Sequence, residues 1–224
     1  MKIITIIPAR GGSKGIPRKN IIAFSGKPLL QYSVESSRNS KYISETYVTS
    51  DDQEILDLAE KLGAIPVKRP PDISGDDSTS ESALKHVLSG LKDLPDAVCF
   101  LQATSPLRTT SDINSAIEKF TSDKLDSLFS ACPIEDFFIW HHNSSGKLSS
   151  INYDFKNRKR RQDMSSQIVE NGSIYLFKPN ILTKHNNRLG GTIGYSLMDP
   201  WKIYEIDSYD DLEMCEFLFE QRVK

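Results

Sequence analysis

KIITIIPARGGSKGIPRKN, residues 2–20, is the stretch on which the fold turns. Its first six residues hold four isoleucines and a threonine without polar alternation, the pattern of a strand buried on both faces. Pro8 ends the run, and a loop with glycines at 11, 12 and 15 follows at once, carrying Arg10 and Lys14. Glycines let a backbone turn tightly and aim several N–H groups at one anion, and the two cations add charge. In an open α/β sheet, a loop at the carboxyl end of a strand is where ligands bind. The loop lacks the Gly-Lys-Ser/Thr of a P-loop, and its glycines miss the spacing of the dinucleotide fingerprint. Taken alone, these residues fit either a phosphate-binding loop or a plain glycine turn with surface lysines.

Working outward, residues 46–49, 65–67, 97–101, 127–131 and 173–177 repeat the short, β-branched, apolar character of the first strand. Helical patterns lie between them. Ile55, Leu58, Ala59 and Leu62 fall at i, i+3, i+4 and i+7 within 52–62, and Gly63 supplies a stop. Pro28 opens a helix over 29–38, and 79–92 and 111–121 are further helices. The last, 208–222, begins with Ser208 and Asp211 at capping-box spacing. Strands alternating with helices predict an α/β fold: three layers, with a mostly parallel sheet flanked by helices. At 224 residues the chain is expected to be one domain, 1–224, burying about 70–75% of its unfolded surface. One segment, about 133–168, breaks the rhythm. It is polar, carries His141, His142 and the basic run Lys156, Arg158, Lys159, Arg160 and Arg161, and lies between two core strands. It reads as an excursion from the domain.

Composition removes several functions. With 28 Lys+Arg against 30 Asp+Glu the formal charge is −2, which argues against nucleic acid or an anionic membrane surface as the main partner. No apolar run reaches the 18 residues of a membrane span, and 3–7 is too short for a signal-peptide core. Cys99, Cys132 and Cys215 form neither a disulfide framework nor a zinc pattern, so they are expected in the core of a soluble, cytoplasmic protein. His141 and His142 have no clustered ligands and read as surface residues.

Six segments together resemble the acylneuraminate cytidylyltransferases: IPARGGSKGIPRKNI (7–21), GKPLLQYSV (26–34), VTSDD (48–52), LQATSPLR (101–108), ENGSIYLF (170–177) and EIDSYDDL (205–212). They stand in the family's order across nearly the whole chain. The resemblance implies a nucleotide-diphospho-sugar transferase-like fold whose excursion is a dimerisation arm. It implies transfer of CMP from CTP to the anomeric hydroxyl of a nonulosonic acid, N-acetylneuraminate or N,N′-diacetyllegionaminate, with release of pyrophosphate. The nucleotide would be held by Arg10, Gly11, Gly12, Ser13, Lys14, Lys19, Asn20, Arg69, Ser78 and Ser80. The sugar would meet Gln102, Thr104, Ser105 and Asn171, with Arg161 reaching in from the arm of a homodimer partner. Arg10, Lys14 and Asp207 would be catalytic.

Glu205 and Asp207 are the acidic site. In an extended segment i and i+2 share a face, and two hard carboxylates beside a triphosphate point to Mg²⁺, with Mn²⁺ as the other choice. The same residues could simply help to cap the last helix. The sequence departs from the resembling family twice. Glu205 replaces the first acid of Asp-x-Asp, and Val169-Glu170 stands where the sialic-acid enzymes have Arg-Pro. The second departure opens the door to a sugar other than N-acetylneuraminate. The related octulosonate enzymes would have a loop closer to ARYxSxRLPGKP. A 3-deoxy-octulosonate cytidylyltransferase, a glycosyltransferase and a non-catalytic nucleotide-binding module stand as the alternatives. The implied product would serve surface polysaccharide synthesis.

Overall fold

The computed structural model describes residues 1–134 and 137–223, and only the backbone at Arg161. In chain order the strands are β1 (Ile3–Pro8), β2 (Ala23–Phe24), β3 (Lys27–Pro28), β4 (Ile43–Ser50), β5 (Ile65–Lys68), β6 (Ala97–Leu101), β7 (Ser127–Ile134), β8 (Trp140–His142), β9 (Leu148–Ser150), β10 (Gln167–Phe177) and β11 (Ile193–Leu197). The helices are α1 (Leu29–Arg38), α2 (Gln53–Lys61), α3 (Ser80–Ser89), α4 (Thr110–Ser122), α5 (Pro179–His185) and α6 (Tyr209–Arg222). Seven strands form one sheet in the order β11-β7-β10-β6-β1-β4-β5. Within it only β10 runs antiparallel to its neighbours, β6 and β7, so the sheet is mostly parallel as the alternation predicts.

The isoleucines of β1 explain why the sheet needs helices on both sides. Ile3 and Ile7 enter one apolar cluster with Leu30 and Val34 of α1, Ile55 and Ala59 of α2, and Ile113 and Ile117 of α4. Ile4 and Ile6 enter another with Leu84, Val87 and Leu88 of α3 and Leu182 of α5. All four isoleucines are buried, because successive strand side chains point to opposite faces. Local chemistry sets the helix ends. Asp52 accepts from the N–H of Glu54 and Ile55, Gly63 takes φ +77° behind α2, and Ser208 and Asp211 form a reciprocal capping box before α6. The three cysteines are free and buried.

Two features bring residues distant in sequence to the carboxyl end of the sheet. Ile206 is fully buried in a third cluster with Ile16, Phe24, Leu29 and Leu107, and its N–H donates to Thr104 O at 2.9 Å. This anchor turns Glu205 and Asp207 to the opposite side of their segment. The second feature is a break in β10. Glu170 pairs with Ala131 but Tyr175 pairs with Phe129, so residues 171–174 stand against Ser130 alone. The Ser130 hydroxyl stitches the bulge, donating to Asn171 Oδ1 at 2.6 Å and accepting from Ile174 N at 2.8 Å.

β8 and β9 form a separate hairpin within the excursion, paired with each other and not with the main sheet. Around it Phe137, Leu148, Ile151 and Phe155 are exposed, and Arg158 lies over the Phe138 ring at 4.0 Å. His141 and His142 are exposed. Among the described residues no helix is long and apolar enough to cross a membrane. Elements absent from the sequence reading include the two-residue strands β2 and β3, β11, α5 and this hairpin. β11 is an edge strand with one bare face, and α5 has a single apolar pair, so neither repeats long enough to register as a pattern.

Ile206→Ala is expected to cost about 3 kcal/mol of stability in urea denaturation, the range for emptying a well-packed isoleucine site.

Candidate active site

A cleft of about 320 Å³ opens at the carboxyl ends of β1 and β6, beside the start of α3. Three cations, Arg10, Lys19 and Arg69, line it, and a fourth, Lys14, stands just outside the lining. Arg10 ion-pairs with Asp76 at 2.9 Å and donates to Gly75 O at 3.2 Å. Lys14, at the outer rim and 78% exposed, reaches the other oxygen of Asp76 at 3.0 Å. Lys14 and then Arg10 hold the Asp76 carboxyl below the usual carboxylate range. Asp76 thus bridges the two loop cations as a bound anion would. Lys19, largely buried, ion-pairs with Asp207 at 2.6 Å. Asn20 is buried and donates to Arg10 O at 2.8 Å, which fixes the loop from behind. Gly15 permits the close approach of the loop to the acidic segment, because a Cβ there would overlap the Asp207 carbonyl.

Arg69 completes the set. Its side chain is 6% exposed, its nearest ion-pair contact is Asp51 at a long 4.0 Å, and among the described residues its Nε and Nη2 have no hydrogen-bond partner. Burial pushes the guanidinium pKa down. A buried donor left unpaired is costly, so a guanidinium on the wall of a cleft with two free nitrogens is suited to acceptor oxygens of a ligand. Thr79 caps α3, and the first turn of that helix, at Ser80, lines the cleft with its partial positive charge.

The acidic side is built by the Ile206 anchor and the β10 bulge. Glu205 accepts from Thr104 Oγ1 at 3.3 Å and packs on Gly172, whose φ is +68° and where any Cβ would overlap the carboxylate. Burial raises the Glu205 pKa, and the nearby charge of Asp207 raises it further. Among the described residues no third His, Cys, Asp or Glu joins this pair. Two convergent carboxylates are hard oxygen donors of the kind that could hold Mg²⁺, which takes one or two protein carboxylates and fills the rest of its shell with other oxygens. Gln102 and Phe100 lie on the same wall, at i and i−2 of the β6 end.

The cleft therefore gathers Arg10, Gly12, Ser13, Lys19, Asn20, Arg69, Ser78, Ser80, Gln102, Thr104, Glu205 and Asp207. Other expected residues lie elsewhere, Lys14 among them, exposed at the rim outside the cleft lining. Gly11 sits behind the loop, its N–H held by Asp51 Oδ1 at 3.0 Å. Ser105 is 3% exposed and does not line the cleft. Asn171, also 3% exposed, has its amide committed to Ser130, Lys202 O and Met198 Sδ, so it holds the bulge and does not line the cleft. The side chain of Arg161 lies outside the described residues. The sequence reading missed Asp76 and Phe100. Phe100 was within reach, since i and i+2 in a strand share a face with Gln102. Asp76 was not, because it meets Arg10 across 66 residues of chain.

The profile of the cytidylyltransferase family matches residues 4–222. The chain is 34% identical to pseudaminic acid cytidylyltransferase of Campylobacter jejuni, covering 98% of this chain and 97% of the relative. It is 33% identical to N-acylneuraminate cytidylyltransferase A of Danio rerio, covering 96% of this chain and 50% of that longer relative. In fold it is similar to a solved CMP:2-keto-3-deoxy-manno-octonic acid synthetase complexed with CTP, with a TM-score of 0.75 at 17% identity and 99% of each chain covered.

Glu205→Gln is expected to separate stability from activity. A carboxyl whose folded pKa is raised contributes fully below its unfolded pKa, and the contribution is lost as pH rises through the folded value. Removing the charge should therefore raise the melting temperature at pH 7 while turnover falls by about 10²-fold. Paired thermal scans at pH 4 and pH 7 should show the gain only at the higher pH.

Proposed function

The chain belongs to the cytidylyltransferase family, and from that premise we propose that it transfers CMP from CTP to the anomeric hydroxyl of a nonulosonic acid, releasing pyrophosphate. The observation that carries this reading is the cleft itself. Three cations line it and Lys14 stands at its rim, with internal carboxylates for company, and among the described residues Arg69 holds buried donors with nothing to bind. A triphosphate would take the place of Asp76 between Arg10 and Lys14, and Lys19 would lie beside it. Arg69, Ser78 and Ser80 would hold the nucleoside end.

The reaction needs placement and charge neutralisation more than covalent help. The sugar hydroxyl attacks the α-phosphorus, the bond to the bridging oxygen breaks, and the electron pair leaves with pyrophosphate. Arg10 and Lys14 stabilise the charge that builds on the leaving group. The hydroxyl proton passes to the acidic pair, with Asp207 the more open of the two. Glu205 and Asp207 are also the residues that would hold Mg²⁺ or Mn²⁺, which when bound neutralises triphosphate charge. Gln102 and Thr104 present an amide and a hydroxyl to the sugar, against the Phe100 wall.

The acid is a nine-carbon one. Relatives named for pseudaminic and N-acylneuraminic acids match over almost the full chain, and Val169-Glu170 sets this sequence apart at the bulge that packs on Glu205. Pseudaminate therefore joins N-acetylneuraminate and N,N′-diacetyllegionaminate as a substrate to test. The exposed apolar residues around the hairpin support a homodimer in which this arm docks on the partner and carries Arg161 to its sugar site. The product would be made in the cytoplasm as a donor for surface polysaccharide.

Pyrophosphate release with Mg²⁺ should occur with CTP and not with ATP, GTP or UTP. Of the three nine-carbon acids, one should exceed the others and 3-deoxy-octulosonate by about tenfold or more. A chelator should abolish release. Arg10→Ala should lower kcat by about 10²–10³-fold. Arg69→Ala should raise KM for CTP by about tenfold or more with a smaller effect on KM for the acid. CTP binding with no release from any of the acids would overturn the reading.

A further inference from the structure

Beneath the floor of the cleft lies a cation that the reaction above does not use. Arg108, the last residue of LQATSPLR, is 4% exposed. Its Nη1 donates to Ser173 O at 2.9 Å, Ser173 Oγ at 3.0 Å and Gln102 O at 3.3 Å. Its Nη2 donates to Ser33 Oγ at 2.5 Å and to Gln102 O at 3.3 Å. None of these partners is charged, and Asp112 and Glu205 act on the guanidinium only through space. Asp112 is itself held by Lys202 at 2.7 Å. Burial pushes the Arg108 pKa down to about 10, which still leaves it charged at neutral pH.

Among the described residues no carboxylate pairs directly with this buried charge, an arrangement that is costly, and neutral donors could satisfy the same carbonyls. The choice of partners shows what the charge is for. Gln102 O is the main-chain end of the residue whose amide lines the cleft, and Ser173 follows Gly172, on which Glu205 packs. Ser33 of α1 also donates to Gln102 O, at 3.3 Å, so α1, β6 and β10 meet at one guanidinium. Lysine could not do this, because only the planar fork offers donors in fixed directions to three elements at once. The nucleotide side is held separately. Arg10, Lys14 and Lys19 rest on Gly75, Asp76 and Asp207, and the Arg69 main chain on Ser50 O, without contact to Arg108.

We propose that Arg108 is a positioning residue for the acid substrate: it fixes Gln102 and the Gly172–Ser173 bulge from below and places a buried positive charge under the seat of an anionic sugar. The inference rests on the reading of the cleft as a sugar-acid cytidylyltransferase site, and it divides the two substrates. Loss of Arg108 disturbs the seat of the acid and leaves the seat of CTP.

The test is Arg108→Met and Arg108→Lys, with separate Michaelis constants for each substrate. Arg108→Met is expected to raise KM for the acid by about tenfold or more and to lower kcat, with KM for CTP changed less than about threefold. Arg108→Lys, keeping the charge and losing the fork, should fall between Met and wild type. Equal rises in both constants, or none, would overturn the proposal. Should Arg108→Met fail to fold, Ser173→Ala removes one bond to the guanidinium and Ser33→Ala removes one to the guanidinium and one to Gln102 O, both keep the charge, and each should raise KM for the acid by about two- to fivefold. An unchanged acid KM in both would overturn the claim. Amide exchange over 102–104 and 172–174 supplies a readout that needs no substrate. It should accelerate in these variants while exchange in β1 does not, and unchanged exchange would overturn the positioning role. Accelerated exchange in a protein whose wild type turns over no acid would instead overturn the reaction proposed above.

Discussion

Like charges held close together repel, and this molecule holds Arg10, Lys14, Lys19 and Arg69 at one end of one sheet. The fold meets that constraint with carboxylates of its own. Asp76 bridges Arg10 and Lys14, Asp207 takes Lys19, and Asp51 stands 4.0 Å from Arg69. Three of these four cations thus have a close internal counterion, and the fourth has almost none. The gradient is informative. The pairs at the rim are exposed and weakly worth keeping, while Arg69, deeply buried, is the group whose donors gain most from a ligand.

Such a site works against stability. Arg69 keeps unpaired donors, Glu205 is a carboxyl pushed out of its ordinary range beside a second acid, and Arg108 is a buried charge among neutral oxygens. The remainder of the fold must offset these costs. It does so through a sheet whose central strand is apolar on both faces and through helix ends capped by their own side chains. The division of labour follows the sheet's polarity. Apolar contacts fill the middle of the strands, and incompletely paired polar groups gather where the strands end.

Much of this was legible before any coordinates. The run of isoleucines without alternation announces a strand covered on both sides, and the structure sends Ile3 and Ile7 one way and Ile4 and Ile6 the other. Gly63, Asp52 and the Ser208–Asp211 pair mark helix ends by local chemistry that needs no tertiary context. The basic glycine loop stands out by composition, but composition alone leaves it open between an anion site and a plain turn. Other residues could be named but not placed. Asn171 and Ser105 stand in segments that resemble binding motifs, yet both are buried and the Asn171 amide is committed to the β10 bulge. A motif states which residues travel together, not which of them face the ligand.

What the amino-acid order settled, then, is everything that depends on near neighbours: strand and helix periods, caps, the glycine loop and the alternation of Glu205, Ile206 and Asp207. These follow from backbone geometry over a few residues. What the tertiary structure decided is which of those pieces meet. That Asp76 answers Arg10, that Gly172 clears space for Glu205, and that Arg108 ties α1, β6 and β10 together all join residues tens of positions apart. Such pairings exist only once the strand order and the break in β10 have been set by packing, and no local pattern in the chain records them.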